Sequence, residues 1–345
     1  IESSLKAGAI GLAMVIIFMV AIYFIPGVAA SIALFIYIAL MVIMLDSFSL
    51  TLTLSGIAGI ILSIGMAVDA NVIIFARIRE ELATGKTVQS AIKQGFSKAL
   101  SAILDGNITT LIAAAVLGFV GTGSVKGFAQ TLALGIILSM FTSLIITRGI
   151  LSVMYAIGFQ SEKFYGVAKE HKTIRFLQKK KFWFAISGVL ILSGIVAMIV
   201  FQSSGKGALN YSMEFMGGTS TTVEFSEEYD IKYIEDNVIP KITEVIGDNE
   251  VQTTMVKDSS EVVFKTKTLD ESSRLALDEM FETEFGVTPK ESESISGTVS
   301  GEMRNDAIIA IVVATLLMLV YIAFRFKDIR FGARSIIALS HDVLV

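Results

Sequence analysis

The sequence contains no cysteine and few charged residues. Its 345 residues include three prolines and one tryptophan, and only 17% of them are charged. Without cysteine there is neither a disulfide framework nor a thiolate metal site, and so few charges are atypical of a soluble protein of this length. No catalytic triad or cluster of metal ligands stands out. We therefore expect no enzyme, no metal and no bound cofactor, and nucleic acid is not among the expected partners.

Long apolar runs are what the sequence has in abundance. Apolar residues make up 53% of the chain, and its mean hydropathy is +0.71. A helix needs about 20 apolar residues to cross a bilayer. An eighth such run begins at Phe331 and continues to Val345, and we expect the protein to extend beyond both ends of this sequence. Seven further runs predict a polytopic, mainly α-helical membrane bundle: 7–25, 28–45, 54–75, 108–120 with a polar lead-in, 128–150, 182–201 and 307–324.

The charges separate into two groups. Residues 205–300 carry 20 acidic and 8 basic residues, a balance of −12, whereas basic residues gather in the alternate loops at 77–98, 148–181 and 325–334. Basic loops stay on the cytoplasmic side of a membrane. The acidic block is therefore predicted to lie on the extracytoplasmic side.

Within the acidic block the apolar runs give way to alternating and amphipathic patterns. These patterns predict the order βαββαβ, which is the ferredoxin-like plan of an α+β domain. The predicted strands are 219–225, 250–256, 261–267 and 291–295, and the predicted helices are 231–246 and 272–285.

Asp69 is the most conspicuous residue of the predicted spans. It lies eight residues before Arg77, about 12 Å along a helix, and an Asp near the middle of a span costs about 2.5–3.5 kcal/mol. Small or polar residues on its helix suggest that it faces protein or a wet crevice rather than lipid. It is either a proton carrier or a buried Asp satisfied by neighbouring hydroxyls and amides. Its own face holds Ser55, Ala58, Leu62, Gly65 and Ala76, and a second stripe holds Ser55, Gly59, Ser63, Ala67 and Asn71.

Other polar residues near or within spans are candidates for a relay or polar network. Asp105 opens a polar cluster before the fourth apolar run, where it acts either as a helix N-cap or in a proton relay. His341 and Asp342 are adjacent and point about 100° apart on a helix, so they serve either a hydrogen-bond network or packing. The remaining candidates are Asn71, Asn107, Thr109 and Thr110.

Two long stretches resemble a known family. Residues 56–81, with Asp69-Ala-Asn71 at their centre, together with 105–110 and 121–129 resemble the signature of SecD, and the sequences at 211–219, 321–326 and 338–344 resemble SecF. The chain is thus similar to the fused SecD/SecF proteins of the resistance-nodulation-division superfamily. Ala76 and the segment 212–214 depart from the usual family pattern.

The resemblance implies a division of the chain and a function. Members of the family assist the SecYEG channel in the bacterial plasma membrane, using the proton gradient to draw unfolded exported polypeptide outward. The resemblance makes Asp69 the proton-handling carboxylate, with protons the only coupling ion, and places a partner carboxylate beyond Val345. A proton-driven exporter of small molecules or lipids and a structural scaffold are the alternatives. The implied parts are a five-span SecD-like bundle at 1–160, a basic cytoplasmic linker at 161–181, a first SecF-like span at 182–204, the ferredoxin-like domain at 205–300 and SecF-like spans at 301–345.

Overall fold

The computed structural model describes residues 2–50, 53–166, 176–203, 215, 217–248, 251–256, 259–327 and 329–345. Residues 167–175 of the predicted linker, and residues 211–214 and 216 of the family pattern at 211–219, lie outside these residues. The chain forms two compact units, Ile1–Gly188 with Ile309–Val345, and Val189–Ile308.

Helices account for nearly all of the first unit. Thr side chains cap two of them: Thr53 Oγ1 accepts from the Gly56 amide at 3.0 Å and Thr87 Oγ1 from the Ser90 amide at 3.4 Å. The helices that contribute to this unit are α1 (Glu2–Tyr23), α2 (Ile25–Ser47), α3 (Leu54–Ala83), α4 (Val88–Val120), α5 (Gly123–Phe141), α6 (Thr147–Ile157), α7 (Lys180–Ser203), α11 (Gly297–Phe326) and α12 (Ile329–Leu344).

The described residues contain seven segments long and apolar enough to cross a membrane, which confirms the polytopic bundle. The fourth predicted run, 108–120, is only the second half of the 33-residue helix α4. Its first half is amphipathic and buries Ile92, Phe96 and Ile103, so a search for continuous apolar runs misses it. The eighth run corresponds to α12, which has 16 residues.

Helices α3 and α5 run in the same direction and approach each other closely. Gly135 of α5 lies against Ser63 and the hydroxyl of Tyr37, and Gly59 of α3 lies against Thr131. The Tyr37 and Ser63 hydroxyls are 2.6 Å apart. The second small-residue stripe of α3 is thus a packing surface, as its composition predicted.

The second unit contains a four-stranded antiparallel sheet in the order β2-β3-β1-β4. Two helical segments, one continued from a π turn at Ile234–Val238, cover the core residues Val223, Phe264 and Phe281. This βαββαβ order confirms the predicted ferredoxin-like domain. Its elements are β1 (Gly218–Glu224), α8 (Ile231–Tyr233), α9 (Ile239–Ile246), β2 (Gln252–Met255), β3 (Glu261–Thr266), α10 (Glu271–Phe285) and β4 (Glu291–Ile295).

Candidate functional site

Asp69 lies near the middle of α3 and is exposed on the outside of the helix bundle. Among the described residues, no side chain or backbone group donates a hydrogen bond to its carboxylate. An unpaired acid at this depth is costly in lipid, so its environment in the membrane must include water or further protein.

The face of α3 that carries Asp69 is open along its length. Ala58, Leu62, Gly65 and Ala76 are all exposed, and a methyl group at Gly65 would meet no described atom within 4 Å. No described residue covers Asp69, so the expectation that it faces protein or a wet crevice stays a prediction. This face is open because α5 packs against the opposite side of α3, where Gly59, Ser63, Ala67 and Asn71 are buried.

Asn71 belongs to that buried side. Its Nδ2 donates to the Ala67 carbonyl at 3.1 Å, while its Oδ1 is buried with no hydrogen-bond partner among the described residues. Asn71 and Asp69 point to opposite sides of α3, so the two side chains do not form one site.

Asp105 does not begin a helix. Helix α4 starts at Val88 with Thr87 as its N-cap, and Asp105 lies seventeen residues further on, in the helix interior. The N-cap interpretation is therefore wrong. The polar cluster after Asp105 looks like a helix start because Gly, Asn and Thr are common there, but the amphipathic turns before it continue the helix.

Asp105 instead joins α4 to α11. Its Oδ1 accepts hydrogen bonds from Tyr321 Oη at 2.9 Å and Arg325 Nε at 2.8 Å, and Arg325 Nη2 donates to Ser101 Oγ at 2.7 Å. We call Ser101, Asp105, Tyr321 and Arg325 the α4–α11 cluster. It pairs a SecD-like helix with a SecF-like helix, and the charged partners offset the cost of an acid within a span.

One signal for this cluster lies in the depth of its residues along the apolar segments, not in their local pattern. An acid and an arginine that lie in different apolar segments at similar depth are expected to pair. Apolar contacts of Val116 with Ala310 and Ala314 continue the same interface toward the other end of α4.

The other relay candidates on α4 bond to their own helix. Asn107 Nδ2 donates to the Ile103 carbonyl at 2.9 Å, and the Thr109 and Thr110 hydroxyls donate to the Gly106 carbonyl at 2.8 and 3.1 Å. None of these contacts links Asp69 to Asp105. Asp69 and Asp105 nevertheless lie at a similar depth along the antiparallel helices α3 and α4. Gly95 packs against Ile78, and counting the same number of residues from that contact along each helix brings Asp69 beside Leu104.

His341 and Asp342 lie together on α12. His341 Nδ1 is 3.3 Å from Asp342 Oδ1, and both side chains are at least 40% exposed. The two therefore do meet, in an exposed pair. The described residues contain no group of three or more potential metal ligands.

A buried acid at the cytoplasmic end of α3 is not apparent from the apolar runs of the sequence. Glu81 is only 4% exposed and is paired with Lys86 and with Lys98, the latter at 2.6 Å. In the sequence, both lysines indicate only the orientation of the loop relative to the membrane. The ion pairs fix the hairpin between α3 and α4, which carry Asp69 and Asp105.

Comparison with known proteins gives a consistent result. The family "Protein export membrane protein SecD/SecF, C-terminal" matches residues 3–156 and 276–345. The SecDF translocase subunit of Bacillus subtilis is 31% identical over 99% of this chain and 48% of its own length. The SecD subunit of Acidaminococcus fermentans is 53% identical over 46% of this chain and 38% of its own length.

A solved structure agrees with the sequence matches. The crystal structure of SecDF from Thermus thermophilus, described as a translocon-associated membrane protein, superposes with a TM-score of 0.84 at 32% identity, covering 99% of this chain and 46% of that one. The chain thus spans about half the length of the SecDF proteins it matches. These relatives favour the protein-export reading over a small-molecule exporter. The chain is a membrane-spanning protein with an extracytoplasmic segment, and it belongs to the SecD/SecF family of protein export membrane proteins.

Proposed function

We propose that this chain is the membrane part of an accessory subunit of the Sec translocase, which assists the SecYEG channel and uses the proton gradient to promote outward movement of exported polypeptide. It acts without catalytic residues or a bound cofactor, and protons are its coupling ion. The observation that carries the proposal is Asp69: a carboxylate at mid-span, on an open helix face, with no described partner.

An unpaired carboxylate at this position suits proton exchange. The described side chains leave its oxygens accessible, so a proton can arrive and leave without breaking an ion pair. Protonation removes a charge from the middle of the membrane and changes which packing of the Ala58, Leu62, Gly65 and Ala76 face is favoured. One charge moved across 100 mV supplies about 2.3 kcal/mol, enough to bias a domain movement.

The α4–α11 cluster has a different role in this proposal. Asp105 is already occupied by Tyr321 and Arg325, so it holds two helices together rather than carrying protons. Asn71, Asn107, Thr109, Thr110, His341 and Asp342 remain candidates for a polar network around the moving parts.

The test is secretion of a reporter protein from cells that carry Asp69→Asn in the full-length protein. We expect normal membrane levels but secretion as poor as in the deletion strain, and no further loss when an uncoupler is added. Asp46→Asn is the matched control, because Asp46 is an exposed acid at the C-terminal end of the neighbouring helix α2. It should secrete like wild type.

Other outcomes would separate the alternatives. Wild-type secretion by the Asp69→Asn strain would rule out the proton role. Normal secretion together with increased sensitivity to drugs would point to an exporter. Mild defects in the deletion and Asp69→Asn strains, with an uncoupler lowering their secretion as much as it lowers that of wild type, would point to a scaffold.

A further inference from the structure

A cavity of about 490 Å³ opens between the first turns of α4 and the helix α6. The start of α4 and the helix α6 both lie among the basic loops, which places the cavity at the cytoplasmic side. Its polar lining comes from two helices: Thr87, Gln89, Ser90 and Lys93 of the α4 end, and Arg148, Ser152 and Tyr155 of α6.

Among the described residues, the lining of the cavity contains two cations and no acid. Lys93 and Arg148 both line it, no Asp or Glu does, and neither cation has a carboxylate partner among the described residues. This contrasts with Lys86 and Lys98 nearby, which are paired with Glu81. Arg148 instead lies 6.0 Å from the centre of the Phe96 ring, so packing holds the guanidinium beside the cavity.

Hydroxyl groups complete a set of donors suited to a phosphate group. Ser90, Ser152 and Tyr155 line the cavity with the two cations, and Ser90 belongs to the first turn of the 33-residue helix α4, which has no acidic residue there. The positive end of that helix adds to the field of Lys93 and Arg148. Charged donors and hydroxyls together suit the anionic oxygens of a phosphodiester and do not suit a cation.

Exposed apolar side chains continue from this cavity toward the membrane interior. Leu100 lies two turns deeper than Lys93 on α4, on the same helix face, and is 41% exposed. Ile145 lies about one turn before Arg148, in the π-helical segment Thr142–Ile146 that leads into α6, and is 58% exposed. A ligand that fits both parts has an anionic head and a hydrocarbon tail.

We propose that this cavity binds the phosphate head group of an anionic phospholipid from the cytoplasmic leaflet, with an acyl chain along Leu100 and Ile145. Lys93 and Arg148 hold the phosphate, and the hydroxyls of Ser90 and Tyr155 orient it, whereas the Ser152 hydroxyl donates to the Arg148 carbonyl at 2.9 Å. Basic pockets between membrane helices bind lipid head groups in this way. The site is independent of Asp69 and of the proton-coupling proposal.

The experiment measures lipid bound to the purified full-length protein. The protein is equilibrated in phosphatidylcholine nanodiscs that contain a minority of phosphatidylglycerol, and retained lipids are counted by native mass spectrometry. Wild type should retain phosphatidylglycerol in preference to phosphatidylcholine. The double variant K93Q/R148Q should bind it at least about fivefold more weakly, the effect expected from one lost cation near an anionic surface.

The matched control is K163Q/K181Q, which removes two exposed basic residues of the same side that do not line the cavity. It should retain phosphatidylglycerol like wild type. Equal retention by both double variants, or equal retention of the two lipids by wild type, would overturn the proposal.

Two further measurements keep the result interpretable. In wild type, photoactivatable phosphatidylglycerol should label peptides around Lys93 and Arg148, and labelling confined to other segments would contradict the site whether or not the double variant folds. Inorganic phosphate is the competing source of the same chemistry. Excess phosphate should leave the lipid bound, and a cavity that takes up phosphate while showing no preference for phosphatidylglycerol would overturn the lipid assignment.

Discussion

The membrane bundle and the extracytoplasmic domain solve the packing problem in opposite ways. In the bundle, α3 and α5 meet through Gly59, Ser63 and Gly135, where backbones come close and hydroxyls bond. In the domain, large rings fill the space between helices and sheet, with Phe264 and Phe281 fully buried. The difference follows from the solvent: lipid gives apolar side chains no reason to leave it, so close contact and hydrogen bonds must hold the helices, whereas water drives large apolar side chains into a core.

The largest expected effect tests the domain side of this comparison. Phe264→Ala removes a ring that lies 5.5 Å from Phe281 and 6.4 Å from Phe225, and it should lower the free energy of unfolding of the domain by about 3–5 kcal/mol. Hydrogen exchange of the slowest amides in β1 and β3 measures this loss.

Leu275→Ala is the matched control for that change, because Leu275 lies on α10 of the same domain but is 60% exposed. It should leave the slow amides nearly unchanged. Similar losses in the two variants would mean that the rings do not form the core that sets the stability of the domain.

The next largest effect tests the bundle, and here the substitution adds volume instead of removing it. Gly135→Ala adds a methyl group that would overlap Ser63 and lie 3.0 Å from the Tyr37 hydroxyl. We expect a loss of about 1–3 kcal/mol from overpacking, seen as a lower melting temperature of the detergent-solubilised protein.

Gly149→Ala is the control for Gly135→Ala. Gly149 lies in α6, and an added methyl group would meet nothing within 4 Å there. This variant should melt at the wild-type temperature or slightly above it, since Ala favours helix more than Gly. If both variants melt alike, close backbone contact between α3 and α5 does not limit the stability of the bundle.

The same comparison explains which elements of the fold could be predicted from the sequence. Strands β1 and β3 match their predicted bounds within one residue, because side chains that alternate between core and water repeat every two residues. Only the second half of α4, the continuous apolar run at 108–120, was predicted. Its first half is amphipathic and contains no such run, so it does not stand out as a span.

The candidate site shows a similar division. The position of Asp69 at mid-span follows from counting residues along a helix, and its stripe of small neighbours was visible in the sequence. The sequence did not show which of the two stripes packs against α5, since both contain glycine and alanine. The bond between Asp105 and Arg325 joins residues 220 positions apart, and local patterns carry no information on such a pairing.

The smallest expected effect concerns how the two regions finish their helices. Bundle helices α3 and α4 are capped by Thr hydroxyls, which do not titrate, whereas domain helix α10 is capped by Asp270, whose Oδ1 accepts from the Ser273 amide at 2.8 Å. Hydrogen bonds from Ser273, and then from Ser272, lower the pKa of Asp270. A carboxyl group whose pKa is lower in the folded state stabilises the fold above its unfolded pKa of about 3.9, and this contribution is lost as the pH falls through the folded value.

Protection of the first-turn amides of α10 should therefore decrease as the pH falls from about 5 to about 3, after correction for the intrinsic exchange rate. Asp270→Asn keeps an acceptor oxygen but cannot titrate, so it should flatten this decrease, whereas Glu271→Gln, which removes the adjacent carboxylate, should preserve it. The first-turn amides of α3, which Thr53 caps, should show no change traceable to their cap. A decrease that persists unchanged in Asp270→Asn would show that other acids of the domain, and not its helix caps, make it more sensitive to pH than the bundle.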